Sequence, residues 1–162
     1  EIIRAFNSHY GHTFAEPQAV FTDSPIVRGT DGAGKMSKSQ GNLIFVSALR
    51  NAGTDASAVR LALLADHYRS DRDWSATALG NAEDRLARWR QATALDAGPD
   101  ARVLLASVRS HLADDLDTPC ALAGVDRWVE LALSGSGSDP DAPRLARSVV
   151  DALLGVDLVR RP

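Results

Sequence analysis

The sequence predicts a mixed α/β fold that is mainly α-helical, in which a loop-rich N-terminal segment precedes a bundle of about four helices. Prolines and glycines interrupt residues 13–34, which is typical of irregular or extended chain. Beyond residue 55, apolar residues recur at helical spacing, and a polar run at 134–143 separates two of these stretches. We therefore divide the chain into a segment over residues 1–46 and a helical bundle over residues 47–162.

The N-terminal segment opens with a predicted amphipathic helix over residues 1–10, which Gly11 would end. The loop GTDGAG at 29–34 leads into KMSKSQGN at 35–42. A brief apolar stretch at 43–46 is strand-like, and a short helix is predicted near 47–52, closed by Gly53. Because the chain starts at Glu1 in what reads as the middle of a helix, we expect an upstream part of the fold.

The helices of the bundle follow from capping residues and apolar spacing. Asp55 or Ser57 is expected to cap the first helix, and a polar turn covers residues 67–75. Further helices are predicted near 76–93, 99–113, 118–133 and 143–154. The core predicted from the last three helices consists of Val103, Leu104, Val108, Leu112, Leu122, Val125, Trp128, Val129, Leu145, Val149, Leu153 and Leu154.

Composition excludes several classes of protein. The net charge of −3 argues against a stand-alone nucleic-acid-binding domain, which usually has a basic surplus. The single cysteine cannot form an internal disulfide or the usual multi-thiolate zinc site, which suits a reducing cytoplasm. The sequence contains neither a signal peptide nor an apolar run of the ~20 residues that span a bilayer, so no membrane partner is expected.

The sequence KMSKS at 35–39 carries the chemistry. Lys35 and Lys38 offer compact positive charges that suit phosphate oxygens, and Ser37 and Ser39 add hydroxyl donors. Glycines on both sides let the loop move and let backbone amides approach an anion. Met36 is a flexible apolar side chain that can pack beside a purine. Such a loop could hold a polyphosphate and stabilise the negative charge that grows as pyrophosphate leaves.

The string GKMSKSQGN resembles the signature of class I aminoacyl-tRNA synthetases and their relatives. From Gly34 to about Leu158 the chain looks like the C-terminal part of the cysteine-specific branch, and is most like the mycothiol cysteine ligases. The segments DASAVRLALLADHYRSDRDWS and LADDLDTPCAL share in this resemblance. Residues 1–34, with FN-x-x-YG before a proline-containing stretch, look more like the tryptophanyl branch.

The resemblance implies the tail of a Rossmann-type nucleotide-binding domain ahead of the helical bundle. It also implies ATP-dependent activation of an amino acid through an aminoacyl-adenylate, with cysteine then ligated to glucosaminyl-inositol. Mg2+ would accompany the ATP, whereas zinc would belong only to the upstream half of the family's fold. The residues that match the family's nucleotide-binding loop are Lys35, Met36, Ser37, Lys38 and Ser39; of these, Lys38 would make the main phosphate contact and Lys35 a supporting one, both in a catalytic role.

Two alternatives stay open. The chain could belong to a cysteinyl- or tryptophanyl-tRNA synthetase, with tRNA as the acceptor. It could also be a non-catalytic fragment or subunit, because the HIGH-type motif of the family is not seen in the sequence. In that case a second polypeptide would carry the rest of the active site.

Polar residues of the bundle admit a functional and a structural interpretation. His67, Tyr68, Arg69 and Arg72 could contact substrate, but we favour a capping or salt-bridge role involving Asp71 and Asp73. The aspartates of Asp114-Asp115-Leu116-Asp117 could form a paired-carboxylate site, but their position before Thr118-Pro119 favours a helix cap.

Three further groups of residues are interpreted as structural. Cys120 is expected to be a small buried helix residue, and the three tryptophans are expected to be core or interface anchors. A metal role for His9 and His12 lacks a third ligand, which favours surface histidines. The arginines of helix 76–93 favour a charged helix face over an anion site; they are Arg85, Arg88 and Arg90.

Overall fold

The computed structural model describes residues 7–9, 11, 49, 51–70 and 74–159 of the 162-residue chain. The KMSKS loop, the strand-like stretch at 43–46, the Rossmann-type tail and the division near residue 46 all lie outside these residues. Asn7–His9 are helical, and Gly11 has a φ of 79°, as the predicted end of the first helix requires. Leu49 and Asn51 are also helical.

The prediction of a mainly helical fold is confirmed. The structure describes five helices in chain order: α1 (Ala56–Leu64), α2 (Ala76–Thr93), α3 (Ala101–Ala113), α4 (Thr118–Leu133) and α5 (Ala142–Leu154). The predicted limits of α2 and α4 agree with those observed, whereas α3 begins two residues later because Asp100 is its N-cap. Within the described ranges, the one β-bridge pairs Gly98 with Asp139.

Four helices begin at a side chain that caps the first turn. In each case the capping oxygen accepts a hydrogen bond from a backbone N–H of that turn, which satisfies a donor that has no partner inside the helix. The caps are Asp55 to Ser57 (2.8 Å), Ser75 to Ala78 (3.0 Å), Asp100 to Arg102 (2.8 Å) and Asp117 to Cys120 (3.1 Å). The expected cap at Asp55 is therefore confirmed, and Ser57 lies inside α1.

All five helices contribute to the bundle core, in which α4 packs on both α3 and α2, α1 packs on α2, and α5 packs on both α2 and α3. Trp89 of α2 is fully buried, and its indole Nε1 donates to the Asp126 carboxylate of α4 at 2.7 Å. Trp128 of α4 is also buried and donates to the Pro99 carbonyl at 2.9 Å. Because Trp74 packs against the same core, the prediction that the tryptophans are anchors is confirmed.

The predicted core is correct for most positions and wrong at Val103, which is 70% exposed. The buried stripe of α3 passes through Ala101, Leu104 and Val108, and Val103 lies off this stripe. Val156 and Leu158 are buried although they follow the last helix. Helical spacing could not predict that these two side chains are part of the core, because the segment that contains them is not helical.

None of the helices in the described part of the chain has both the length and the apolar character needed to cross a membrane.

Candidate functional site

The predicted nucleotide-binding residues Lys35, Met36, Ser37, Lys38 and Ser39 lie outside the described residues, so their role stays a prediction. A group of hydrogen-bonded polar side chains joins the turn that follows α1 to the turn between α3 and α4. We call it the turn cluster and define it as His67, Tyr68, Arg69 and Asp115.

Asp115 is the acceptor at the centre of the turn cluster. Its Oδ1 accepts from the Tyr68 hydroxyl at 2.7 Å and from Arg69 Nη2 at 3.0 Å. Arg69 Nε donates to the same hydroxyl at 2.7 Å, and its guanidinium carbon lies 5.3 Å from the Tyr68 ring centroid. His67 Nε2 lies 3.1 Å from the Asp115 carbonyl oxygen. The contacts join chain positions 46 to 48 residues apart and so tie the two turns together.

Asp115 lies in a turn with an unusual backbone conformation. Asp115 and the following Leu116 have φ values of 50° and 56°, a left-handed conformation that disfavours side chains other than those of Gly, Asn and Asp. The Asp117 N–H closes this turn on the Asp114 carbonyl at 3.0 Å. Leu116 is 56% exposed, so no burial of its side chain offsets the strain. Strained turns of this kind cluster at functional sites, which makes the turn cluster a candidate site.

The charges of the turn cluster face solvent. The Arg69 and Asp115 side chains are 55% and 47% exposed, and an ion pair in such a setting contributes little to stability, about 0–1 kcal/mol. We therefore expect the Arg69–Asp115 pair to hold the two turns in their relative orientation and not to transfer protons. Arg69 forms a salt bridge whose partner is Asp115, which the sequence did not predict. The predicted role involving Asp71 and Asp73 stays a prediction, because residues 71–73 lie outside the described residues.

Two of the aspartates after α3 have separate structural roles, since Asp115 accepts from Tyr68 and Arg69 whereas Asp117 caps α4. Asp117 is the cap of α4, and Pro119 lies in the first turn, as the sequence predicts. The hydrogen bond from the Cys120 thiol, together with the bond from the Cys120 N–H, lowers the pKa of the Asp117 carboxyl. Electrostatic interaction with His111 and His67 acts in the same direction. Asp117 is therefore ionised at neutral pH.

Cys120 is exposed, which corrects the prediction that it is buried. Its position in the first turn of α4 turns its side chain towards Asp117 instead of into the core. The hydrogen bond to the Asp117 carboxylate raises the pKa of the Cys120 thiol, so that the thiol stays protonated at neutral pH. A nucleophilic role is therefore not supported, in agreement with the structural interpretation of this residue.

The arginines of α2 do not form the predicted single charged face, because Arg85 and Arg88 pair with α4 whereas Arg90 lies on another side of the helix and pairs with Asp55. Arg85 Nη2 lies 3.1 Å from Asp126, Arg88 Nη2 lies 3.8 Å from Glu130, and Arg90 Nη2 lies 2.8 Å from Asp55. These pairs fix α2 against α4 and against the start of α1.

Of the two N-terminal histidines, His9 is exposed, while His12 lies outside the described residues.

A cavity of about 710 Å³ opens beside the Arg90–Asp55 pair. Arg90 and Arg147 both line it, and the Nε atom of each is buried without a hydrogen-bond partner. Leu158 forms part of the apolar wall, and Glu83 adds a negative charge. The two unused donors favour an oxygen acceptor at this wall, although the acidic side chains limit the attraction for a free anion.

The family model described as "tRNA synthetases class I (W and Y)" matches residues 1–52. It covers the stretch in which the sequence resembles the tryptophanyl branch, and extends past the KMSKS loop. The resemblance to class I aminoacyl-tRNA synthetases is thereby confirmed.

Curated relatives match most of the chain. The "L-cysteine:1D-myo-inositol 2-amino-2-deoxy-alpha-D-glucopyranoside ligase" of Thermobifida fusca is 60% identical over 148 residues, which is 91% of this chain and 36% of the relative. The proteins of the same name from Gordonia bronchialis and Mycolicibacterium smegmatis are 55% and 54% identical over 94% and 96% of this chain. The chain covers 34% of each of these two, so it spans about a third of the length of the relatives it matches.

The two resemblances overlap in the N-terminal segment. Since 155 of the 162 residues align with the Mycolicibacterium smegmatis ligase, that match reaches well into the first 33 residues. These are the residues in which the tryptophanyl-like pattern was seen. The similarity to the cysteine ligases is therefore a property of almost the whole chain and not only of the bundle.

Proposed function

We propose, from the similarity of this chain to class I aminoacyl-tRNA-synthetase-like cysteine ligases, that it is part of an ATP-dependent enzyme that joins cysteine to the amine of glucosaminyl-inositol. The observation that carries the proposal is identity of 54–60% over more than nine-tenths of the chain to ligases whose names state these two substrates. Identity at this level, over alignments that cover almost the whole chain, supports a shared reaction.

The proposed reaction has two steps. The carboxylate of cysteine attacks the α-phosphorus of ATP, and the bond to pyrophosphate breaks to leave cysteinyl-adenylate. The amine of the acceptor then attacks the adenylate carbonyl, an amide forms, and AMP leaves with the bonding electrons. Mg2+ is expected to accompany the ATP phosphates, and the reducing cytoplasm suits a free-thiol substrate.

Within this scheme the residues of the KMSKS loop act in the first step. Lys38 and, to a smaller extent, Lys35 would hold the β- and γ-phosphates and stabilise the charge that grows on pyrophosphate. Met36, Ser37 and Ser39 would position the loop against the nucleotide. The turn cluster would orient the bundle, because three hydrogen bonds to Asp115 fix the α1–α2 turn on the α3–α4 turn.

The division into residues 1–46 and 47–162 belongs to the same proposal. The first part would be the end of the catalytic nucleotide-binding domain, and the second would be the helical bundle. The five helices α1 to α5 all lie in the second part, which supports this assignment.

The test is ATP–pyrophosphate exchange, measured with cysteine and with tryptophan in separate reactions. The complete enzyme that contains this chain should exchange with cysteine only. The 162-residue chain alone should be inactive if a further part supplies the rest of the active site, and exchange by the chain alone would show that no second polypeptide is needed. Exchange driven by tryptophan would favour the synthetase alternative, which the family model over residues 1–52 supports.

A second measurement separates the acceptors. The adenylate formed in the first step is offered glucosaminyl-inositol or the cognate tRNA, and the product is identified by mass. Amide formation with the amino sugar is the expected result. Transfer to tRNA alone would overturn the proposed acceptor while leaving the adenylation step intact.

A further inference from the structure

Three side chains of different chemistry converge where α3 ends and α4 begins. His111 lies in the last turn of α3, Asp117 is the N-cap of α4, and Cys120 lies in its first turn. One ligand atom from each, an imidazole nitrogen, a carboxylate oxygen and the thiol sulfur, lie within 4.8 Å of one another. We propose that His111, Asp117 and Cys120 bind one divalent transition-metal ion of the zinc class.

The backbone holds the three residues together without any ion. The Asp117 N–H donates to the His111 carbonyl at 3.0 Å, so the loop between them is closed at its base. The Asp114 N–H also donates to this carbonyl, at 3.2 Å. Asp117 and Cys120 are three residues apart across a helix start, which places both side chains on one face. The backbone of the site is therefore already in place, and binding of a metal would change only side-chain torsion angles.

The distances need only side-chain rotation. Zinc–ligand bonds of about 2.0–2.3 Å in a tetrahedron separate the ligand atoms by about 3.5 Å. A separation of up to 4.8 Å is therefore closed by modest changes of side-chain torsion angle. Cys120 is exposed and His111 only half-buried, so both side chains have room for these changes.

The chemistry of the three ligand atoms favours one class of metal ion. Thiolate and imidazole are preferred by zinc and its neighbours over magnesium or calcium, and a carboxylate completes a mixed three-ligand site with one position left for water. Asp114 adds negative charge beside the thiol, which favours a cation. On binding, the metal replaces the Cys120 proton, which passes to solvent. A single cysteine, which excludes a multi-thiolate site, is sufficient for this one.

The test uses cobalt and zinc on the 162-residue chain and needs no enzymatic activity. Because Cys120 is the single cysteine of the sequence, any thiolate-to-cobalt charge-transfer absorption must come from it. We expect one equivalent of Co2+ to produce that absorption and one equivalent of Zn2+ to abolish it by displacement. Absence of the band in the unaltered chain would overturn the proposal, whatever the variants do.

The variants test each ligand separately. Cys120→Ser should remove the absorption, and His111→Gln and Asp117→Asn should each weaken Zn2+ binding about tenfold or more, with Asn keeping the helix cap. The matched control is Asp114→Asn, which removes a neighbouring carboxylate outside the three ligands and should change affinity less than about threefold. Equal weakening by Asp114→Asn and Asp117→Asn would show a diffuse acidic patch and overturn the site. Helical circular dichroism of each variant checks that the fold is kept.

Discussion

At the scale of single residues, Asp126 illustrates how one half-buried charge serves two neighbours. Its Oδ1 accepts from Trp89 Nε1 at 2.7 Å, and its Oδ2 lies 3.1 Å from Arg85 Nη2. Trp89 is fully buried, and the Asp126 carboxylate is the acceptor of its indole N–H. An unpaired buried donor costs more free energy than the hydrogen bond itself contributes.

We expect Asp126→Ala to lower the free energy of unfolding by about 1–3 kcal/mol, since it leaves the Trp89 N–H and the Arg85 guanidinium without this acceptor. The measurement is urea denaturation followed by circular dichroism. Glu130→Ala is the matched control: it removes a carboxylate from the same helix that lies 3.8 Å from Arg88 and whose side chain is 64% exposed. The control should cost less than about 0.5 kcal/mol. Equal losses would show that Asp126 acts only as a surface charge.

Lys38 carries the residue-scale prediction for activity. In the complete enzyme, Lys38→Ala should slow single-turnover adenylation about 10²-fold or more, because the proposed mechanism assigns its charge to stabilising the leaving pyrophosphate. Binding of cysteine should change little. Lys35→Ala serves as the comparison and should have the smaller effect. An unchanged rate for Lys38→Ala would remove this lysine from the proposed mechanism.

At the scale of elements, α1 depends on contacts at its start. Asp55 caps the helix through the Ser57 N–H and also pairs with Arg90 of α2 at 2.8 Å. Partial burial of Asp55 acts to raise the pKa of its carboxyl, but the hydrogen bonds from Ser57 and Arg90 outweigh it, and the pKa is lowered. A carboxyl with a lowered folded-state pKa stabilises the fold above its unfolded-state pKa of about 3.9, and this contribution is lost as the pH falls through the folded-state value.

We therefore expect the stability of the bundle to fall with acidification below about pH 4, and Asp55→Asn to reduce that dependence. Asn keeps a capping oxygen but not the charge, so the variant separates the ion pair from the cap. The free energy of unfolding is measured between about pH 3 and pH 6 for both proteins. Parallel curves for the two would contradict the assigned role of Asp55.

The loop between α4 and α5 offers a second test at this scale. Gly135 and Gly137 both have positive φ, at 79° and 87°. A side chain at Gly135 would meet nothing, whereas a Cβ at Gly137 would overlap the backbone of Gly98 and Pro99. The close approach is required by the bridge between Gly98 and Asp139, whose two hydrogen bonds are 3.0 and 3.1 Å long.

Gly137→Ala should accordingly lower the free energy of unfolding by about 1–3 kcal/mol more than Gly135→Ala does. The two substitutions share the cost of a positive φ, so the difference isolates the steric overlap. Thermal or urea unfolding of both variants provides the comparison. If the two variants were equally stable, the approach of the two loops would not be needed for the fold.

At the scale of the whole molecule, the helices were predictable because caps and apolar spacing are local. Ser75 and Thr118-Pro119 mark the starts of α2 and α4 in the sequence itself, and both helices were placed with their observed limits. The turn cluster was not predictable in the same way. Its central contact joins Tyr68 to Asp115, 47 residues apart, and its geometry depends on a left-handed turn at residues that give no glycine signal.

The candidate metal site shows the same limit. Asp117 and Cys120 are close in sequence, and Asp117 was recognised as a cap, but the third ligand, His111, is set by the closed loop at the end of α3. A histidine within a helix does not indicate by itself which residues beyond the helix end its side chain will approach. The exposure of Cys120 was missed for a related reason, since its orientation follows from the first turn of α4 and not from its apolar character.

The segment after α5 fastens the end of the bundle to its beginning. Ser57 Oγ and the Asp157 backbone exchange hydrogen bonds across 100 residues of chain, and Arg60 Nη1 donates to the Gly155 carbonyl at 2.7 Å. Val156, buried in the same segment, adds apolar contact. Contacts of such long sequence separation form late in folding, because closing the intervening loop costs conformational entropy before the contacts can stabilise the chain. During synthesis, then, α1 can pack on α2 as soon as α2 emerges, whereas its hydrogen bonds to residues 155–157 form only after residue 157 has left the ribosome.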